Sequence, residues 1–308
     1  MTWTEKLTQR EPGLGRIIET IEAVGSLPTI PAIAQRAMAL ARDETASMQQ
    51  IAAVVAQDQT LAAEVLKTVN SAYYGLRQSV GTLPLALTVL GVHEIISILL
   101  SVAIVSAFPG ATRSRLFDRE VFWRACAQRA YATKQLAHAT GFGRYASEAF
   151  LGGLVHDIGI VVLDQYLHDE FTAMLAESEA QGVALLEAER ARFDTSHAAI
   201  GAWLAEAWSV PDMLIEAIAF HHDPGSSSWN PPMTALVAVG ELIHELYAAA
   251  ISREEAVQRI EGDATWTQLM SLGPPAKRVP SVAGLLEKIG AEIESAPQIM
   301  GGASPVRR

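Results

Sequence analysis

Residues 57–76 read QDQTLAAEVLKTVNSAYYGL, and this stretch decides the fold class. Asp58 stands where a carboxylate can accept the free N–H groups of a first helical turn, so a helix is expected from Gln59 to Asn70. Gly75 closes the turn after it. Upstream, Ser47 and Gln50 have capping-box spacing and open a helix that runs to Ala56. Pro31 suits the first turn of another, PAIAQRAMALA over residues 31–41. Downstream, Pro84 opens a helix that Gly91 interrupts. The most apolar run, IISILLSVAIVSAF at 95–108, falls short of the roughly 20 residues a membrane span needs and reads as a buried core helix. Together these form a bundle of short helices over residues 16–108.

A polar break, PGATRSRLFDRE at 109–120, joins this bundle to a second helical region at 121–250. Helices are expected there at Phe122–Thr140, Glu148–Tyr166, Phe171–Ala180, Ala184–Phe193, Ser196–Ala207, Pro211–Phe220 and Thr234–Ala249. Residues 222–232 form a loop. Residues 1–15 are left as an N-terminal segment and 251–308 as a C-terminal extension. The extension holds a linker at 273–280 and one amphipathic helix at 281–295, with Val282, Leu285, Leu286 and Ile289 on one side. The tail at 296–308 is expected to lack order. Strand-like alternation is scarce, so the expected class is all-α.

Composition narrows the function classes. The chain has 308 residues, half of them hydrophobic, which suits a substantial core. A net charge of −11 disfavours nucleic-acid partners and anionic membranes. One cysteine, Cys126, leaves no intramolecular disulfide and no cysteine-rich zinc site, and fits a reducing cytoplasm. The N-terminus lacks the apolar core of a signal peptide, so a cytoplasmic location is expected.

Chemistry concentrates in the second region. His156 and Asp157 lie in GGLVHDIG, His197 in DTSHAAIGAWL, and His221 and His222 in AFHHDP. No local motif links them, so only the helix bundle can assemble a common site. Imidazole with carboxylate suits zinc, iron, manganese or nickel. Read one by one, they also fit ordinary structural roles, as do His93, His138, His168 and His244. Asn70, Ser71, Tyr73, Tyr74 and Gly75 could form a recognition surface, but cap signals favour a helix end with core aromatics. Trp203 and Trp208 read as core.

Several stretches resemble the HDOD branch of the HD superfamily. They are LPTIPAIAQRAMAL at 27–40, residues 57–76, LALTVLGVHEIISILL at 85–100, GLVHDIG, SHAAIGAWLAEAWSVP and AFHHDP. The resemblance implies an HDOD domain over residues 16–250: an HD-like helical bundle with an N-terminal helical subdomain. In HD phosphohydrolases an earlier histidine, the His-Asp doublet and a later aspartate bind metal, and further histidines complete two-ion versions. Carried over, this makes His156, Asp157, His197, His221, His222 and Glu241 the candidate ligands, Glu241 standing for the late aspartate.

Three departures weaken catalysis. The earlier histidine is replaced by Ala125 in VFWRACAQRA, and neighbouring Cys126 points about 100° away on a helix. Ile160 stands in HDIGI where many active enzymes carry lysine. No GYP motif follows the paired histidines. The resemblance therefore implies a non-catalytic signal-transduction protein acting through a protein partner. The alternative is a metal-dependent phosphohydrolase or nucleotide phosphodiesterase with a degenerate site, using iron, manganese or zinc. A cyclic dinucleotide bound as a signal is the least supported reading, because no phosphate-gripping cation is evident.

Overall fold

The computed structural model describes residues 1–24, 27–43, 45–109, 115–273 and 281–295. Among these residues every regular element is a helix. The first seven are α1 (Trp3–Arg10), α2 (Gly13–Val24), α3 (Ala32–Arg42), α4 (Met48–Val55), α5 (Gln59–Val69), α6 (Leu83–Leu90) and α7 (Val92–Ser106). The middle eight are α8 (Arg119–Ala139), α9 (Ala146–Val155), α10 (Ile158–Tyr166), α11 (His168–Gln181), α12 (Leu185–Phe193), α13 (His197–Ala207), α14 (Asp212–Phe220) and α15 (Pro231–Ala248). The last three are α16 (Arg253–Glu261), α17 (Ala264–Leu272) and α18 (Val282–Ser295).

The expected caps are in place. Asp58 Oδ1 accepts the Leu61 N–H at 2.9 Å. Ser47 and Gln50 satisfy each other's backbone N–H groups, at 3.2 and 2.7 Å. Each such cap stabilises its helix by about 1 kcal/mol. Gly91, with φ of 83°, separates α6 from α7 in a conformation that side chains other than glycine resist. On α7, Ile95, Ile98, Leu99, Leu100 and Ile104 are all buried, as expected of a core helix. Residues 143–166 match a membrane span in length and hydropathy, yet 89% of the apolar 18-residue window within them is buried inside the fold.

Four features differ from the sequence reading. The single helix expected over Glu148–Tyr166 is two, broken at His156 and Asp157. The N-terminal segment carries α1, opened by a capping box between Thr2 and Glu5. The C-terminal extension carries α16 and α17, capped by Ser252 and Asp263. Finally α2, grouped by sequence with the first bundle, packs on α10, α12 and α13. The Gly13 N–H donates to the Asp194 carbonyl at 3.0 Å. A Cβ at Gly13 would lie 1.9 Å from the Phe193 carbonyl oxygen, so only glycine permits this crossing. Most of the expected break, linker and tail lies outside the described residues.

The chain's start is anchored on the second region. Glu206 on α13 accepts the backbone N–H groups of Trp3 and Thr4 at 2.7 and 2.8 Å. The Trp3 ring lies 6.3 Å from that of Phe220, the last residue of α14.

The two helical regions interlock around Lys134 of α8. Its Nζ donates to Glu94 Oε1 on α7 at 2.5 Å. Tyr74 Oη donates to the same oxygen at 2.6 Å, and Ser147 Oγ donates to Oε2 at 2.7 Å. The rings of Tyr73, Tyr74 and Phe150 surround the ammonium at 5.2 to 5.6 Å. The group at 70–75 is thus a helix end with core aromatics: Asn70 caps α5 and also binds Val80 through both N–H and carbonyl. Trp203 and Trp208 are buried in the core.

Candidate metal centre

The helix ends position the cluster. His156 follows the last residue of α9, and Asp157 sits between α9 and α10. His197 opens α13, and His221 with His222 follow α14. Glu241 comes from the interior of α15. Carbonyls in a last helical turn lack a helical partner and are free to accept from side chains. The ring Nδ1–H of His156 donates to Gly153 O at 3.0 Å, and that of His221 to Ile218 O at 2.7 Å. His197 donates from Nδ1 to Glu189 Oε2 at 2.7 Å. In each ring the bonded Nδ1 turns Nε2 toward the cluster, which is the arrangement that orients imidazole ligands. Gly159 allows the close approach of α10 to α13: a Cβ there would lie 2.0 Å from the His197 carbonyl oxygen.

All six sequence candidates converge, in two donor groups that share Asp157 and His221. The first joins Asp157, His197, His221 and His222. His197 Nε2 lies 3.0 Å from His222 Nε2, 3.3 Å from His221 Nε2 and 3.3 Å from Asp157 Oδ1. The second joins His156, Asp157, His221 and Glu241. There His156 Nε2 lies 3.4 Å from Asp157 Oδ2 and 3.8 Å from Glu241 Oε1. Five of the six residues are buried, and His222 forms the outer edge.

Two residues that sequence reasoning passed over complete the site. Arg129 of α8 donates from Nη1 to Asp157 Oδ2 at 2.6 Å. It lies one helical turn beyond Ala125, on the same face of α8, a spacing that could have drawn attention to it. Glu189 is fully buried behind His197, eight residues upstream and on another helix, with no motif to mark it. Beside them, Glu216 accepts the N–H groups of Ser228, Trp229 and Asn230 and so holds the loop after His222.

Burial would raise the Asp157 carboxyl, but His156, Arg129 and His197 together hold it well below the usual carboxylate range. Glu241 is likewise opposed by burial, yet the neighbouring His156 brings it down to about 2. Burial would lower His197, but Glu189 and Asp157 overcome this and raise it well above its ordinary value. Burial, with His222 beside it, pushes His221 well down. His222 is lowered by burial and by His197. Burial pushes the Cys126 thiol up.

The donors fit a divalent transition metal. Imidazole and carboxylate donors about 2.1 Å from one ion stand roughly 3.4 Å apart, close to the separations in the first group. His156 Nε2, in the second group, is buried without a hydrogen-bond partner. His221 and His197 each keep a lone pair at Nε2 when Nδ1 carries the proton, and these face each other. A shared proton or a metal ion relieves that opposition. The other four histidines, His93, His138, His168 and His244, lie outside both groups; His93 binds Glu148, His168 binds Asp164 and His244 binds Gln128. Ile160 is buried among apolar neighbours.

The HDOD domain model matches residues 27–224. The chain belongs to the HDOD domain family. An HDOD domain protein of unknown function from Geobacter sulfurreducens has the same fold, with a TM-score of 0.80 and 24% identity over 94% of this chain and 98% of that one. A candidate phosphohydrolase from Shewanella amazonensis follows at 0.73 and 23%, over 92% and 96%. A candidate signal transduction protein from Marinobacter aquaeolei stands at 0.62 and 21%, over 88% and 60%. An uncharacterized protein of Treponema pallidum is 28% identical over 240 residues, which is 76% of this chain. The chain spans 45% of the length of that curated relative. In this HDOD protein α1, α2 and the whole of α15–α18 flank the region that defines the family.

Proposed function

We propose that this HDOD protein is a non-catalytic regulator that acts through a protein partner, its HD cluster kept for structure or binding. The observation that carries the reading is the Arg129–Asp157 ion pair. Metal-assisted hydrolysis needs an ion with open positions and a held phosphate. Here a guanidinium occupies one oxygen of the central carboxylate, an alanine stands where the earlier ligand belongs, and Ile160 replaces the phosphate-gripping lysine. The name of the Marinobacter relative agrees with a signalling role.

The test is turnover. Full-length protein supplied with manganese or iron is offered cyclic dinucleotides, nucleoside phosphates and a chromogenic phosphodiester. No hydrolysis above the metal-only control is expected. Turnover that disappears in Asp157→Ala sinks the reading and establishes its rival, a degenerate metal-dependent phosphohydrolase. That rival draws on the convergence of four imidazoles and two carboxylates.

A further inference from the structure

We propose that Arg129 stands in for the second cation of a two-ion HD centre, so that this protein holds a single divalent transition metal at Asp157, His197, His221 and His222. The inference goes beyond the regulatory reading, which holds with or without an ion.

Asp157 has two oxygens, and each faces a different donor group. Oδ1 lies 3.3 Å from His197 Nε2 and 3.6 Å from His221 Nε2. Oδ2 faces His156 and carries the Arg129 Nη1 at 2.6 Å. Two ions bridged through both oxygens of one carboxylate would need Oδ2 as well as Oδ1. Arginine does not release its proton in proteins, so its charge at Oδ2 is permanent and opposes a dication there. The pair is well shielded, with side-chain exposures of 17% and 5%.

The other side is built for an ion. His197 and His221 are held through Nδ1, by Glu189 and by the Ile218 carbonyl. With His222 they present three Nε2 atoms beside Oδ1, a donor set of three nitrogens and one oxygen.

The measurement is metal stoichiometry on the full chain, stripped and then titrated with cobalt(II), whose visible absorption reports ligation directly. Wild type is expected to bind one equivalent. Arg129→Met frees Asp157 Oδ2 and is expected to bind two. His222→Ala should lose the ion, while His156→Ala keeps it. Two equivalents in wild type overturn the proposal, as do none, or one equivalent in both wild type and Arg129→Met. So does retention in His222→Ala with loss in His156→Ala, an outcome readable even if Arg129→Met fails to fold. An ion-free wild type leaves the regulatory reading standing. Hydrolysis by a one-ion protein overturns that reading and leaves this one intact.

Discussion

The ammonium of Lys134 on α8 and the carboxylate of Glu94 on α7 meet at 2.5 Å inside a cage of three aromatic rings, and no more than about a tenth of either side chain is exposed. This pair ties the N-terminal bundle to the HD-like half. Removing one partner strands the other charge. Lys134→Met is therefore expected to destabilise the chain by about 3–5 kcal/mol, measured by urea unfolding. Lys134→Met with Glu94→Leu should recover part of that loss. A single variant as stable as wild type would show that the junction does not depend on the pair.

The same carboxylate gives a pH signature. Burial raises Glu94, but Lys134, Tyr74 and Ser147 outweigh it and hold it below its ordinary value of 4.5. A carboxyl depressed on folding stabilises the native state above 4.5 and loses that contribution as pH falls through its folded value. Wild type should lose stability below pH 4.5 more steeply than Glu94→Gln. Parallel acid-unfolding curves would show that Glu94 does not contribute to the acid transition.

Gly159→Ala tests how the cluster is brought together. The added methyl would sit 2.0 Å from the His197 carbonyl oxygen, a backbone atom that cannot turn aside. Overpacking of this kind costs about 1–3 kcal/mol, and contact with backbone puts this site at the upper end. Thermal melting should register the loss. An unchanged melting temperature would mean that α10 and α13 can slide apart freely.

Cys126 offers a probe of native packing. It is fully buried and its thiol is pushed up, so little thiolate forms at neutral pH. An aromatic disulfide reagent should find no reactive thiol in the folded protein and one per chain in guanidinium. Fast labelling of the native state would contradict the packing of α8.

Helix ends were readable where capping chemistry is local. Asp58, Ser47 with Gln50, and Gly91 each declare a boundary within a few residues. The capping pair Thr2 and Glu5 was equally visible, and α1 went unread because it is polar overall, with Trp3 and Leu7 its only large apolar residues. The break at His156 and Asp157 is different in kind. Both residues tolerate helix, and Asp157 at the turn is held by partners 28 or more residues away, Arg129 and His197. The candidate ligands were legible through family resemblance. Arg129 and Glu189 were not, since a buried ion pair and a supporting carboxylate acquire meaning only when distant helices meet.

The anchoring of α1 has a mechanical consequence. Its Trp3 ring covers Phe220, and Phe220 is joined by one peptide bond to His221. Tension on the first residues would act on the Glu206 bonds to Trp3 and Thr4 before reaching any core helix. Any displacement of α1 would therefore be felt one residue away from His221.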